Sequence, residues 1–104
     1  MTFPEFDAFQ LALLEQVKAM ATSKGKEYAN GEDRFGNFNL LATRLGLTRE
    51  QVLWVYLVKH LDGIESFIMT RTIHSNEPIQ GRIVDAITYL TILAGMLEPS
   101  KKET

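Results

Sequence analysis

Apolar residues along this chain recur at three- and four-residue spacing, never in simple alternation, so the pattern predicts helices and no strand. Phe6, Phe9, Leu13, Val17 and Met20 fall on one stripe, with Glu5, Gln10, Glu15 and Lys18 outside it. Thr2 and Glu5 have the spacing of a capping box and Pro4 suits a first turn, so the first helix is expected to begin after Thr2. The stripe fades between Ser23 and Gly25, with room for the helix to run on to Tyr28, and Asn30-Gly31 is a turn signal. A short second helix is expected over about Phe38 to Leu45, stopped by Gly46. Thr48 and Gln51 form a second capping box in front of the apolar segment QVLWVYLVKHLDGIESFIM. Leu53 to Val58 are apolar without a break, which predicts a central helix covered on nearly every side of its first half. Asn76-Glu77-Pro78 opens a fourth helix that continues toward Pro99. The expected fold is therefore all-α, a compact bundle of about four helices around a long buried central one.

The 104 residues suffice for a single domain, 1–104, with residues 99–104 as a frayed tail. A net charge of -2 gives no general attraction to nucleic acid or to an anionic membrane. The absence of cysteine removes disulfides and thiolate chemistry and fits a reducing compartment, so a cytoplasmic location (host cytoplasm for a viral protein) is expected. No apolar run approaches the roughly 18 residues of a membrane span, and the acidic, proline-bearing start MTFPEFDAF is unlike a signal peptide.

Ala42, Gly46 and Val52, with Leu45 and Leu47 around them, have helix-turn-helix spacing. A recognition helix would have to offer polar side chains to base edges, but Leu53, Trp54 and Leu57 would stand outward here. The spacing is read as a tight helical corner in the core, and DNA binding is not expected.

The polar residues inside the two apolar helices carry more information. Lys59, Asp62 and Glu65 follow one another at i, i+3, i+6, and Arg82 and Asp85 are three apart, with Tyr89 continuing that stripe. Gly63 and Gly81 sit beside these charges, and a glycine inside a helix marks a close approach of backbone or ligand. One reading is a structural network in which Lys59 pairs with Asp85 and Arg82 with Asp62 or Glu65. The other is an interhelical pocket whose cations hold phosphate and whose carboxylates hold a metal or a base edge. Tyr28, Arg34 and Asn37, from the glycine-bearing stretch EYANGEDRFGNF, would close it. His60 reads as a satisfied core histidine and His74 as a surface residue.

The segments EYANGEDRFGNF, TREQVLWVYLVKHLDGI and EPIQGRIVDAITYLTILAGML together resemble small phage and prophage proteins of the nucleotide-modification-associated kind. These in turn are distantly similar to MazG-type all-α nucleoside triphosphate pyrophosphohydrolases. The resemblance covers about residues 24 to 97 and rests on Tyr28, Asn37, Phe38, Lys59, Asp85 and Tyr89. It implies a MazG-like bundle that binds a nucleotide, with Tyr28, Asn37, Lys59 and Asp85 among the matching residues; the pocket reading adds Arg34 and Arg82, and sequestration of a host signalling nucleotide is the anti-defence role expected. A Mg²⁺-dependent pyrophosphohydrolase, with Asp62, Glu65 and Asp85 as metal ligands, is the alternative. Arg82 stands where those enzymes carry a carboxylate, which favours phosphate binding over metal chemistry. A purely structural protein-interaction module is the third. A homo-oligomer is expected, with Trp54, Phe67 and Met69 as candidate contacts.

Overall fold

Thr2 and Glu5 do close the expected capping box: the Thr2 N–H donates to Glu5 Oε1 at 3.3 Å and the Glu5 N–H to Thr2 Oγ1 at 3.2 Å. This sets the start of α1 (Phe3–Tyr28) in the computed structural model, which describes residues 1–28, 33–72 and 78–99, with side chains from 1–23, 33–72 and 78–99. Three further helices follow, α2 (Gly36–Leu45), α3 (Arg49–Thr70) and α4 (Ile79–Leu97), with no regular strand among the described residues. The architecture is an all-α bundle. None of its described helices is long and apolar enough to cross a membrane. The Asn30-Gly31 turn, His74, Asn76-Glu77 and most of the tail lie outside the described residues.

The junctions follow local chemistry. Asp33 prepares α2: its Oδ1 accepts from the Phe35 N–H at 2.9 Å and its Oδ2 from Asn39 Nδ2 at 3.0 Å. Gly46 ends α2 in the left-handed region at φ 67°, and the Leu47 N–H returns to the Ala42 carbonyl. Thr48 and Gln51 then start α3 with their reciprocal cap. Ala42 and Val52 are both buried on either side of this turn, so the helix-turn-helix spacing forms a core corner.

α3 and α4 pack antiparallel in one continuous register. Arg49 donates to the Met96 carbonyl at 3.0 Å, Tyr56 stacks on Tyr89, His60 meets Asp85, and Gly63 faces Arg82. Each advance along α3 is matched by a comparable retreat along α4. α1 joins at Gln16, whose Oε1 accepts from Gln80 Nε2, and α2 at Phe35 and Phe38, which lie against Gly95 and Tyr56. The core comprises Phe38, Ala42, Val52, Leu53, Leu57, Ala86, Tyr89, Ile92 and Met96.

Two expectations need correction. In the first half of α3 only Val52, Leu53 and Leu57 are buried, while Trp54, Val55 and Tyr56 are exposed. The helix is covered on one side, because α2 and α4 both meet the side that carries Leu53 and Tyr56. On α1, the stripe is buried only at Val17 and half-buried at Leu13 and Met20, whereas every residue from Phe3 to Ala12 is exposed. The first turns of α1 have no other described element beneath them.

Candidate functional site

The α3–α4 seam holds a column of aromatic and polar side chains. Phe38 from α2 meets the Tyr56 ring edge-on at 6.1 Å, Tyr56 lies parallel to Tyr89 at 6.0 Å, and Tyr89 stacks on the His60 imidazole at 5.6 Å. His60 Nε2 stands 3.8 Å from Asp85 Oδ2. His60, Asp85 and Tyr89 are buried, and Tyr56 forms the exposed edge of the column. The arrangement follows from matched spacing. Tyr56 and His60 are four apart on α3, Asp85 and Tyr89 are four apart on α4, and antiparallel packing sets the two pairs level.

One turn further along, Gly63 lies under the Arg82 side chain. A Cβ at position 63 would stand 2.6 Å from Arg82 Nε and 2.7 Å from its Cδ and Cζ. The glycine is thus what lets the half-buried guanidinium lie against α3. Tyr56, Lys59 and Gly63 occupy one stripe at i, i+3, i+7, so the exposed Lys59 stands on the same edge of the seam as Arg82. Gly63→Ala should therefore change stability by no more than about 1 kcal/mol, because gained helix propensity offsets the displacement of a flexible side chain. Urea unfolding checks this, and a loss above about 2 kcal/mol would mean that Arg82 has nowhere else to go.

The sequence-selected residues divide clearly. Arg82 and Asp85 face α3, and Lys59 stands at their rim. Asp85 meets His60 where a Lys59 partner was expected, because one residue along a helix is a rotation of about 100° and only His60 points into the seam. Arg34 is half-buried and donates through Nη2 to the Ala21 carbonyl at 3.2 Å, which ties the α2 entry to α1. Its Nη1 is buried without a hydrogen-bond partner among the described residues. Asn37 is half-buried on the first turn of α2. The Tyr28 side chain lies outside the described residues, so its expected closure of the site does too.

The metal set does not assemble. Asp62 and Glu65 are exposed, and since Gly63 faces Arg82, its neighbour Asp62 is turned about 100° away and Glu65 about 200°. Asp85 is buried on the opposite helix. Among the described residues no three His, Cys, Asp or Glu side chains come together to hold a metal ion. These three carboxylates do not fit a shared Mg²⁺.

His60 is the buried core histidine its position suggests, whereas sequence reasoning passed over its partner across the seam and Tyr56. The signal for both was available in the paired four-residue spacings, once α3 and α4 are taken as antiparallel partners. No protein family, curated protein or solved structure matches the chain.

Proposed function

We propose that the protein binds a phosphorylated nucleotide at the exposed edge of the α3–α4 seam and retains it without hydrolysis. The observation that carries this reading is the stripe of Tyr56, Lys59 and Gly63 with the Arg82 guanidinium laid against it. It sets an aromatic face beside two cations, the combination that a base and its phosphates require. Arg82 offers a planar fork for phosphate oxygens and Lys59 a mobile point charge. His60 and Asp85 form the polar floor behind Tyr89 and hold the seam in register. Arg34 and Asn37, at the entry to α2, would extend the site toward Tyr28. In the phage setting that the sequence resemblance implies, retention of this kind would withdraw a host signalling nucleotide from a defence response.

The test begins with mass spectrometry of small molecules released from the purified protein, followed by titration calorimetry over a panel of mono-, di- and cyclic nucleotides. A retained, unaltered nucleotide supports the reading. Release of pyrophosphate in the presence of Mg²⁺ would instead make the protein an enzyme. Arg82→Met should weaken the nucleotide identified by about 1.5–3 kcal/mol, for the lost charge-assisted hydrogen bonds, while the helical circular-dichroism spectrum is preserved. Unchanged affinity in that variant, or no binding across the panel, would return these residues to a structural role.

A further inference from the structure

We infer that the seam edge takes a nucleotide with a single phosphate group, held by Lys59 and Arg82 together, and not a di- or triphosphate. This rests on the nucleotide reading above and narrows it to one class of ligand. Its basis is the place of the Arg82 side chain. A Cβ at Gly63 would stand 2.6 Å from Arg82 Nε and 2.7 Å from its Cζ, so the guanidinium fills the space that a side chain at position 63 would take. Position 63 follows the exposed Lys59 by four residues on α3. The two cations are therefore neighbours in the manner of i and i+4 side chains, whose roots lie about 5–6 Å apart. Heads at that spacing converge on one phosphate, the guanidinium through a forked contact and the ammonium as a point charge. Tyr56 lies three residues before Lys59 on the same stripe, about 4.5 Å back along the helix axis. A base resting on Tyr56 thus has room for one sugar before its first phosphate meets both cations.

The charge at the edge favours the same class. Lys59 and Arg82 are the only lysine or arginine from Lys59 to Phe67 on α3 and from Pro78 to Ala86 on α4. Each also has a carboxylate one helical turn away, since Asp62 follows Lys59 by three residues and Asp85 follows Arg82 by three. The edge therefore carries little surplus positive charge. A phosphate monoester brings about −1.5 to −2 at pH 7, which the two cations match. Each further phosphate adds a negative charge that finds no third cation within a turn and meets the exposed Asp62 instead. Longer phosphate chains are ordinarily carried with Mg²⁺ held by carboxylates. Here Asp62 is exposed on α3 and Asp85 is buried on α4, which leaves such an ion no shared pair beside Arg82. A single phosphate needs no such ion, because the guanidinium and the ammonium supply all of its donors.

Titration calorimetry of the full chain tests this. The probes are the 5′-mono-, di- and triphosphates and the 3′,5′-cyclic monophosphates of adenosine, guanosine, cytidine and uridine, first without Mg²⁺ and then with it. For the base that binds, a single-phosphate form should bind at least about tenfold more tightly than the di- and triphosphate, with or without Mg²⁺. The linear and cyclic arms show which single-phosphate form the edge takes. Lys59→Met should weaken that ligand at least about threefold, since its charge meets the same phosphate as Arg82. Gly63→Ala, which displaces the guanidinium while leaving the helix intact, should weaken it to a similar extent. Neither change should alter the helical circular-dichroism signal or the binding of the unphosphorylated nucleoside, which separates loss of the phosphate seat from loss of fold. A di- or triphosphate that binds more tightly than the single-phosphate forms, in either condition, overturns the inference and leaves the nucleotide reading standing. So does full affinity for the single-phosphate ligand in both variants. Absence of binding across the whole panel overturns the inference and the nucleotide reading together.

Discussion

Phe38→Ala should remove about 3–5 kcal/mol of stability, the largest loss expected from any single truncation in the core. Phe38 is 1% exposed and touches the core from the short helix α2. Ten residues are too few for a helix to persist by itself in water, so α2 depends on what it buries. Apart from Phe38, only the small residues Gly36 and Ala42 are buried on it. The cavity left by the lost ring cannot be filled from α2, and on the other side Tyr56 and Tyr89 are held by their own stack. For a domain with a total stability of about 5–15 kcal/mol, this is a fifth or more. At about 4–8 °C per kcal/mol, the midpoint of thermal unfolding should fall by more than about 12 °C. Circular dichroism during heating and urea titration measures both. Phe38→Leu, which keeps most of the volume, should cost under about 1.5 kcal/mol. A loss below about 1 kcal/mol for the alanine variant would mean that α2 is not anchored through this ring.

The helix boundaries were legible in the sequence because they rest on local chemistry. Thr2 with Glu5, Thr48 with Gln51, and Gly46 act through residues only a few positions away, and each does in the fold what its spacing predicts. The direction in which an apolar surface faces is not local. Leu53 to Val58 show that α3 has little polar surface at that point, but Leu53 is fully buried and Val55 is 65% exposed. Only the positions of α2 and α4 decide between them, and the sequence does not state those positions. The seam illustrates the same limit at finer scale. Lys59 and His60 are neighbours in sequence, yet one is exposed and the other buried against Asp85. Stripes counted along one helix identify neighbours on that helix, whereas partners across a seam depend on the register between helices, which spacing alone leaves undetermined.

That cross-helix register makes the second large effect predictable. Asp85→Leu should destabilise the fold by about 3 kcal/mol, and His60→Leu by a similar amount, because each leaves its partner buried without the group it faces. Asp85 is 8% and His60 7% exposed, so water cannot replace what is removed. The imidazole also stacks on Tyr89 and loses that contact when replaced, which places His60→Leu at the upper end of the pair. Replacing both at once behaves differently. Two apolar side chains of similar volume pack against each other, so exchanging both sides of the His60–Asp85 contact avoids leaving either group facing an apolar side chain. The double variant should therefore cost clearly less than the two single losses combined, and a double-mutant cycle in urea should give a coupling of at least about 1.5 kcal/mol. Losses that simply add would show that His60 and Asp85 act through separate partners and that their 3.8 Å approach is incidental to stability. The same double variant bears on the bound nucleotide without touching Arg82 or Lys59. If the seam serves only as a rigid floor, the restored packing should leave nucleotide affinity within about threefold of the parent, a shift of about 0.7 kcal/mol. A much larger loss would move His60 or Asp85 from the floor to the ligand itself.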